Sequence, residues 1–220
     1  MRSGARRGAR PVAPDLALPE LVPAGPEGLA GAETHEATLF EGLDAEGVRA
    51  VGVRLLECRL ADCSLDGASL RRARLAGVRL ERVSAVATDL TSSSWTDVEA
   101  TGCRLSAVQL PAAELSRVRI TGARLEGANL RDAVLSDVVF EDCRMGEADL
   151  AGARLTRVSF PGSDLDRSQW SGAVLQSVDL RGAALGAPRG LAGLGGAVIT
   201  AVQLVELAPA MAAHLGITVG

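Results

Sequence analysis

The chain is poor in the residues that build an ordinary globular core or an active site. Aromatics make up 2 % of it and tyrosine is absent, although apolar residues reach 47 %. A conventional core of this size draws on large aromatic side chains because each buries much area. Here the interior has to be narrow and filled with Leu, Val and Ala. Histidine occurs twice, as His35 and His214. The four cysteines form no CxxC pair and show no zinc-ligand spacing with histidine. These gaps leave no catalytic constellation, no metal site and no cofactor motif, so the sequence reads as non-enzymatic. No apolar run is long enough to span a membrane. Residues 1–11 carry Arg2, Arg6, Arg7 and Arg10 with no apolar segment behind them, which does not fit a secretory signal. Cytoplasmic residence is the expectation.

Lysine is also missing, so all 23 basic residues are arginine, against 27 acidic ones, and the formal net charge is −4. Such a balance favours solubility over strong attraction to nucleic acid.

What the chain does have is a period. Every fifth residue from Phe40 to Leu185 is apolar, mostly leucine. This central position includes Leu105, Leu110, Leu115, Ile120, Leu125, Leu130, Leu135, Phe140, Leu150, Leu155, Phe160 and Leu165, the proposed core ladder. Ala45, Ala50, Ala85 and Ala100 replace the larger residue and remain apolar. Two residues earlier lies a register of small residues, Ala with Val, Cys, Ser and Thr. One large and one small side chain two residues apart is the alternation of a short strand. Two residues after the central position lies a glycine register, from Gly42 through Gly102 to Gly182. Glycine there predicts positive φ, as at the third residue of a type II turn. Pro111 and Pro161 fall at the preceding turn position, where a fixed φ suits the corner.

A second period closes the coil. Val78, Val98, Val118, Val138, Val158 and Val178 recur every 20 residues. Four pentads therefore make one turn of square cross-section, with like residues stacked at the inter-strand spacing of about 4.8 Å. The expected fold is all-β: a right-handed quadrilateral β-helix of about seven and a half coils over residues 36–185, roughly 35 Å long. Both ends of such a stack need covering.

These registers resemble the pentapeptide-repeat family, whose unit is Ala-(Asp/Asn)-Leu-x-x. Ala128-Asn129-Leu130, Ala148-Asp149-Leu150, Ser163-Asp164-Leu165 and Thr88-Asp89-Leu90 match it closely. The resemblance implies a non-catalytic scaffold for a protein partner, without direct nucleic-acid or membrane binding. It also offers an alternative. Members of the Qnr type bind DNA gyrase or topoisomerase IV as DNA mimics and protect against fluoroquinolones. The stretch that would serve here is Asp132, Asp137, Glu141, Asp142, Glu147 and Asp149, interrupted by Arg144 alone. Against it, residues 36–185 hold 22 acidic residues and 18 arginines. That is a thin charge for imitating a duplex with one charge per about 1.7 Å. The loop insertions of Qnr-type proteins are missing as well.

The flanks differ from the repeats. Residues 1–17, rich in Pro, Gly, Ala and Arg, read as a disordered tail, and 18–35 as a loose lead-in over the first coil. Residues 186–220 read as a linker and a helical cap. Thr200 followed by Gln203 is a capping box. It predicts a helix from Ala201 to about Ala208, with Pro209 starting or kinking a second one that ends at Gly216. Leu204, Leu207, Met211 and Leu215 are its apolar stripe, suited to capping the last coil, to a homodimer contact of the kind the family makes, or to both. Cys58, Cys63, Cys103 and Cys143 fall on the small inward register as buried thiols. Trp95 and Trp170 take central positions, where an indole is expected to bulge the narrow column.

Overall fold

A computed structural model describes residues 10–25, 28–29 and 31–218. The pentads form one parallel β-solenoid of about nine turns followed, among the described residues, by a short 3-10 helix, Leu191–Leu194, and one α-helix. Every rung pairs with the residue 20 positions on through the middle of the rod: Leu75, Trp95, Leu115, Leu135, Leu155 and Leu175 form one column. Val78, Val98, Val118, Val138 and Val158 form another. The eight-residue strands Arg74–Glu81, Ser94–Thr101, Glu114–Thr121 and Val134–Glu141 each run through a corner.

The twelve core-ladder residues named above are all buried, as is the small register beside them. The two tryptophans do not break the column. Trp95 stays in register between Leu75 and Leu115, and each indole N–H donates to a serine hydroxyl two residues back, Ser93 at 3.0 Å and Ser168 at 2.8 Å. The bulge expected there is absent because a small, polar neighbour on the inward register gives the ring both room and a hydrogen-bond acceptor.

All thirty corner positions from Ala37 to Gly182 have positive φ, and eighteen of them are not glycine. The closing i to i+3 hydrogen bond of a turn appears at two of the four corners through the central coils, as from Ala113 N–H to Leu110 O and from Ala128 N–H to Leu125 O. At the other two corners the extended ladder carries on around the bend. Pro161 changes one of these. The strand Arg154–Ser159 stops short of it, and Ser163 N–H closes a turn onto Phe160 O.

Both ends depart from expectation. The rod is longer than seven and a half coils because its flanks join it. Thr34–Glu36 pairs with Arg54–Leu56, Val22–Pro23 with Thr38–Leu39, and Ala197–Val198 with Val178–Asp179. The lead-in is thus partly a rung, and His35 takes a central position stacked on Leu55, edge-on to Phe40. Of the tail expected to be disordered, residues 10–17 lie along the rod, and 1–9 fall outside the described residues.

The C-terminal helix, α1, is one piece, Ala201–His214, with Pro209 inside it. Two short helices were expected, yet Pro209 lies on the solvent side, where water can satisfy the carbonyl it leaves free. The capping box forms in both directions between Thr200 and Gln203. Gln203 does more: it occupies the inward register of the column of Cys143, Ser163 and Ala183. Its amide donates to Leu180 O at 2.7 Å and Ala183 O at 2.8 Å. The Ala183 bond replaces the backbone N–H that another coil would have supplied, as Ala184 N–H does for Ser163 O.

Candidate interaction surfaces

Inward positions are committed to packing, so any recognition has to come from the outside of the rod. Cys58, Cys63, Cys103 and Cys143 are buried and unpaired. Burial pushes all four thiols up, Cys143 to about 11. Each Sγ points at a main-chain carbonyl of the preceding coil, so these are packed thiols rather than nucleophiles. Among the described residues no group of three or more His, Cys, Asp or Glu could hold a metal.

The acidic stretch does not become a surface. Asp132 to Asp149 covers most of one 20-residue turn, so its side chains leave the rod in every direction. Asp132, Asp137, Asp142 and Glu147 stand on four different corners. Four of the six acids are also paired: Asp137 with Arg157, Glu141 with Arg119, Glu147 with Arg167 and Asp149 with Arg131, at 2.6 to 3.1 Å. Sequence proximity in a solenoid means the same turn; a shared face requires a spacing of 20.

One corner is built differently from the others. Its column holds Gly77, Asp97, Arg117, Asp137 and Arg157. These residues are half-buried or buried, whereas the corner residues of the other three columns are exposed through the same coils, apart from Gly152. The cover is the N-terminal segment. Val12 N–H donates to Asp137 Oδ1 and Asp15 N–H to Asp97 Oδ1, both at 3.0 Å. Each aspartate also holds an arginine one coil on in a two-pronged pair, Arg117 on Asp97 and Arg157 on Asp137. The arginine bonds, then the strap N–H, hold both carboxyls below the usual range, while burial opposes them. The pitch explains the fit. Asp97 and Asp137 are two coils apart, about 9.6 Å. Three residues of polyproline-like chain rise about 9.3 Å, and Pro11 and Pro14 bias the segment to that form. Sequence reading missed this strap because proline-rich composition looks the same whether the chain is docked or free.

The cap residues divide. Leu207 is buried and Met211 packs on the core, but Leu204 and Leu215 are exposed, as are Val202 and Val205. The helix therefore closes the rod with one edge and leaves a second apolar face outside.

This parallel, four-cornered solenoid with a five-residue unit defines a class, and the comparisons agree. The descriptions "Pentapeptide repeat region", over residues 93–170 and 113–186, and "Pentapeptide repeats (8 copies)", over 54–91, together match more than half of the chain. The protein belongs to the pentapeptide-repeat family. Among solved structures, it is similar to HetL, a pentapeptide repeat protein involved in heterocyst differentiation regulation in Nostoc sp. strain PCC 7120. The identity is 21 %, covering 73 % of this chain and 86 % of that one, with a TM-score of 0.47. It is also similar to trypsin-treated QnrB1, a plasmid-mediated fluoroquinolone resistance protein, at 22 % identity over 93 % and 99 % of the two chains, TM-score 0.43. A thylakoid-lumen pentapeptide repeat protein of Arabidopsis thaliana matches at 20 % identity over 50 % and 73 %, TM-score 0.40. No curated protein matches. None of the helices is long and apolar enough to cross a membrane among the described residues.

Proposed function

We propose that this protein is a non-catalytic scaffold whose rod faces bind a protein partner. The supporting observation is the division of labour between registers: inward positions are buried and apolar or small, and the charged side chains are confined to outward columns. Four unpaired thiols accord with a reducing compartment such as the cytoplasm. The test is photo-crosslinking in the native cell from one exposed position on each side, Thr101, Ala107, Ala112 and Val174. A saturable crosslink to a defined protein from one side supports the scaffold; equal, non-saturable labelling from all four overturns it.

Self-association through α1 is a second reading, supported by the exposed Val202, Leu204 and Val205. Light scattering of the intact protein and of Val205→Glu decides it: a dimer that the variant dissociates supports it, and a monomer at all concentrations removes it. A DNA mimic that binds a type II topoisomerase is the weaker reading, because the six acids encircle the rod and four are neutralised. A gyrase supercoiling assay with and without a fluoroquinolone is its test, and no effect of micromolar protein excludes it.

A further inference from the structure

Three arginines stand directly above one another on the side of the rod that follows the Gly102 and Gly122 corners. Arg104 pairs with Arg124, and Arg124 with Arg144, through parallel main-chain bridges, so their side chains leave the rod at successive coils about 4.8 Å apart. All three are exposed. None forms an ion pair with a described carboxylate, whereas Arg117, Arg119, Arg131 and Arg157 on other columns all do. No other outward column of the rod holds three consecutive like charges. Gly102 and Gly122 leave the adjoining corner without side chains beside Arg104 and Arg124, where nothing lies within 4 Å of a Cβ on Gly122, while Asp142 stands on that corner beside Arg144. The result is a shallow shelf, open along the rod axis and edged by guanidinium groups that repel one another while unoccupied.

We infer that this column docks an extended, acidic segment of a protein partner, with carboxylates at every third residue. The inference rests on the scaffold reading above. The strap supplies the pitch: a chain lying along the rod advances three residues for every two coils, as Val12 and Asp15 do between Asp137 and Asp97. Carboxylates at i and i+3 therefore meet Arg104 and Arg144, with Arg124 reaching either. A continuous polyphosphate fits worse, because Glu126 and Asp164, which pair with no arginine, line the groove beside Arg144 and repel a backbone with no neutral interval, while Arg167 there is held by Glu147 and Asp166.

The test uses the full chain and a fluorescein-labelled peptide of five Glu-Pro-Pro units, read by anisotropy. The comparison peptide has the same composition with its glutamates bunched together. The regular peptide should bind more tightly than the bunched one. The triple variant Arg104→Gln, Arg124→Gln, Arg144→Gln should weaken it about tenfold, the sum of three exposed ion pairs. Added salt should weaken it as well. The three side chains are exposed, so the variant should keep its far-ultraviolet spectrum; Arg124→Gln alone serves if it does not, with a smaller loss. Equal binding of both peptides, equal binding by the variants, or displacement by oligothymidylate at lower concentration than by unlabelled peptide would overturn the inference. A partner still crosslinked on another side would then leave the scaffold reading standing. Loss of all saturable crosslinks would remove the scaffold reading itself, whatever the peptide does.

Discussion

The main-chain N–H of Val12 donates to the carboxylate of Asp137 at 3.0 Å, across 125 positions of sequence. In a solenoid whose units touch only their neighbours, this bond and its companion from Asp15 to Asp97 tie distant coils to one segment. They make the strap a lengthwise clamp.

Removing the two carboxylates should free the strap without breaking the rod. Asp97 and Asp137 both have positive φ, so Asp97→Gly with Asp137→Gly suits the corners. Amide exchange at Val12 and Asp15 should rise roughly tenfold or more, while the Leu130 coil keeps its protection. Unchanged exchange at both amides would show that the strap is held by packing.

The same clamp should be acid-labile. Both carboxyls lie below their ordinary range, chiefly through Arg157 and Arg117. A depressed folded-state pKa contributes stability that is complete above the unfolded value of about 3.9 and is lost as pH falls through the folded one. Protease resistance of the strap should therefore be flat from neutral pH down to the ordinary carboxylate range and fall below it. Loss already at pH 6 would point to another group.

Gln203→Ala should fray the C-terminal end. It leaves Ala183 O without a donor and Leu180 O with the Ala183 N–H alone, at a cost of about 1–3 kcal/mol for the one buried carbonyl left unsatisfied. Hydrogen exchange should speed up in α1 and the last coil and not around Leu75. A uniform change along the rod would contradict local capping.

Ala112→Gly should stabilise the rod. Ala112 is exposed with φ of +53° and makes its bond to Arg131 through the backbone alone. Relief of the left-handed strain exceeds the added unfolded-state entropy, for a gain of about 0.5–1 kcal/mol. Denaturant midpoints of the two proteins check the sign.

Leu130→Asp should break the stack where it stands. Leu130 is fully buried, and an unpaired carboxylate there costs about 4–5 kcal/mol. Circular dichroism should show lost β-structure or a much lower melting temperature. An equally stable variant would contradict the register.

The sequence by itself determined the interior. A pentad with one large and one small apolar residue specifies which side chains face inward, and the 20-residue recurrence of valine specifies four sides. The corner glycines announced positive φ, and the structure extends it to eighteen residues that are not glycine, because the square section imposes that bend whatever side chain stands there. The surface was legible only in part. Reading along the chain gathered Asp132 to Asp149 into one patch, which the coil distributes around its circumference, and passed over Arg104, Arg124 and Arg144, which it stacks. The strap was decided by tertiary structure alone. Nothing local distinguishes residues 10–17 from a free tail; what orders them is the match between the rise of an extended chain and the spacing of two aspartates on alternate coils. Core identity repeats locally and can be read from a period, whereas contacts along the rod axis depend on distances that exist only once the coils are stacked.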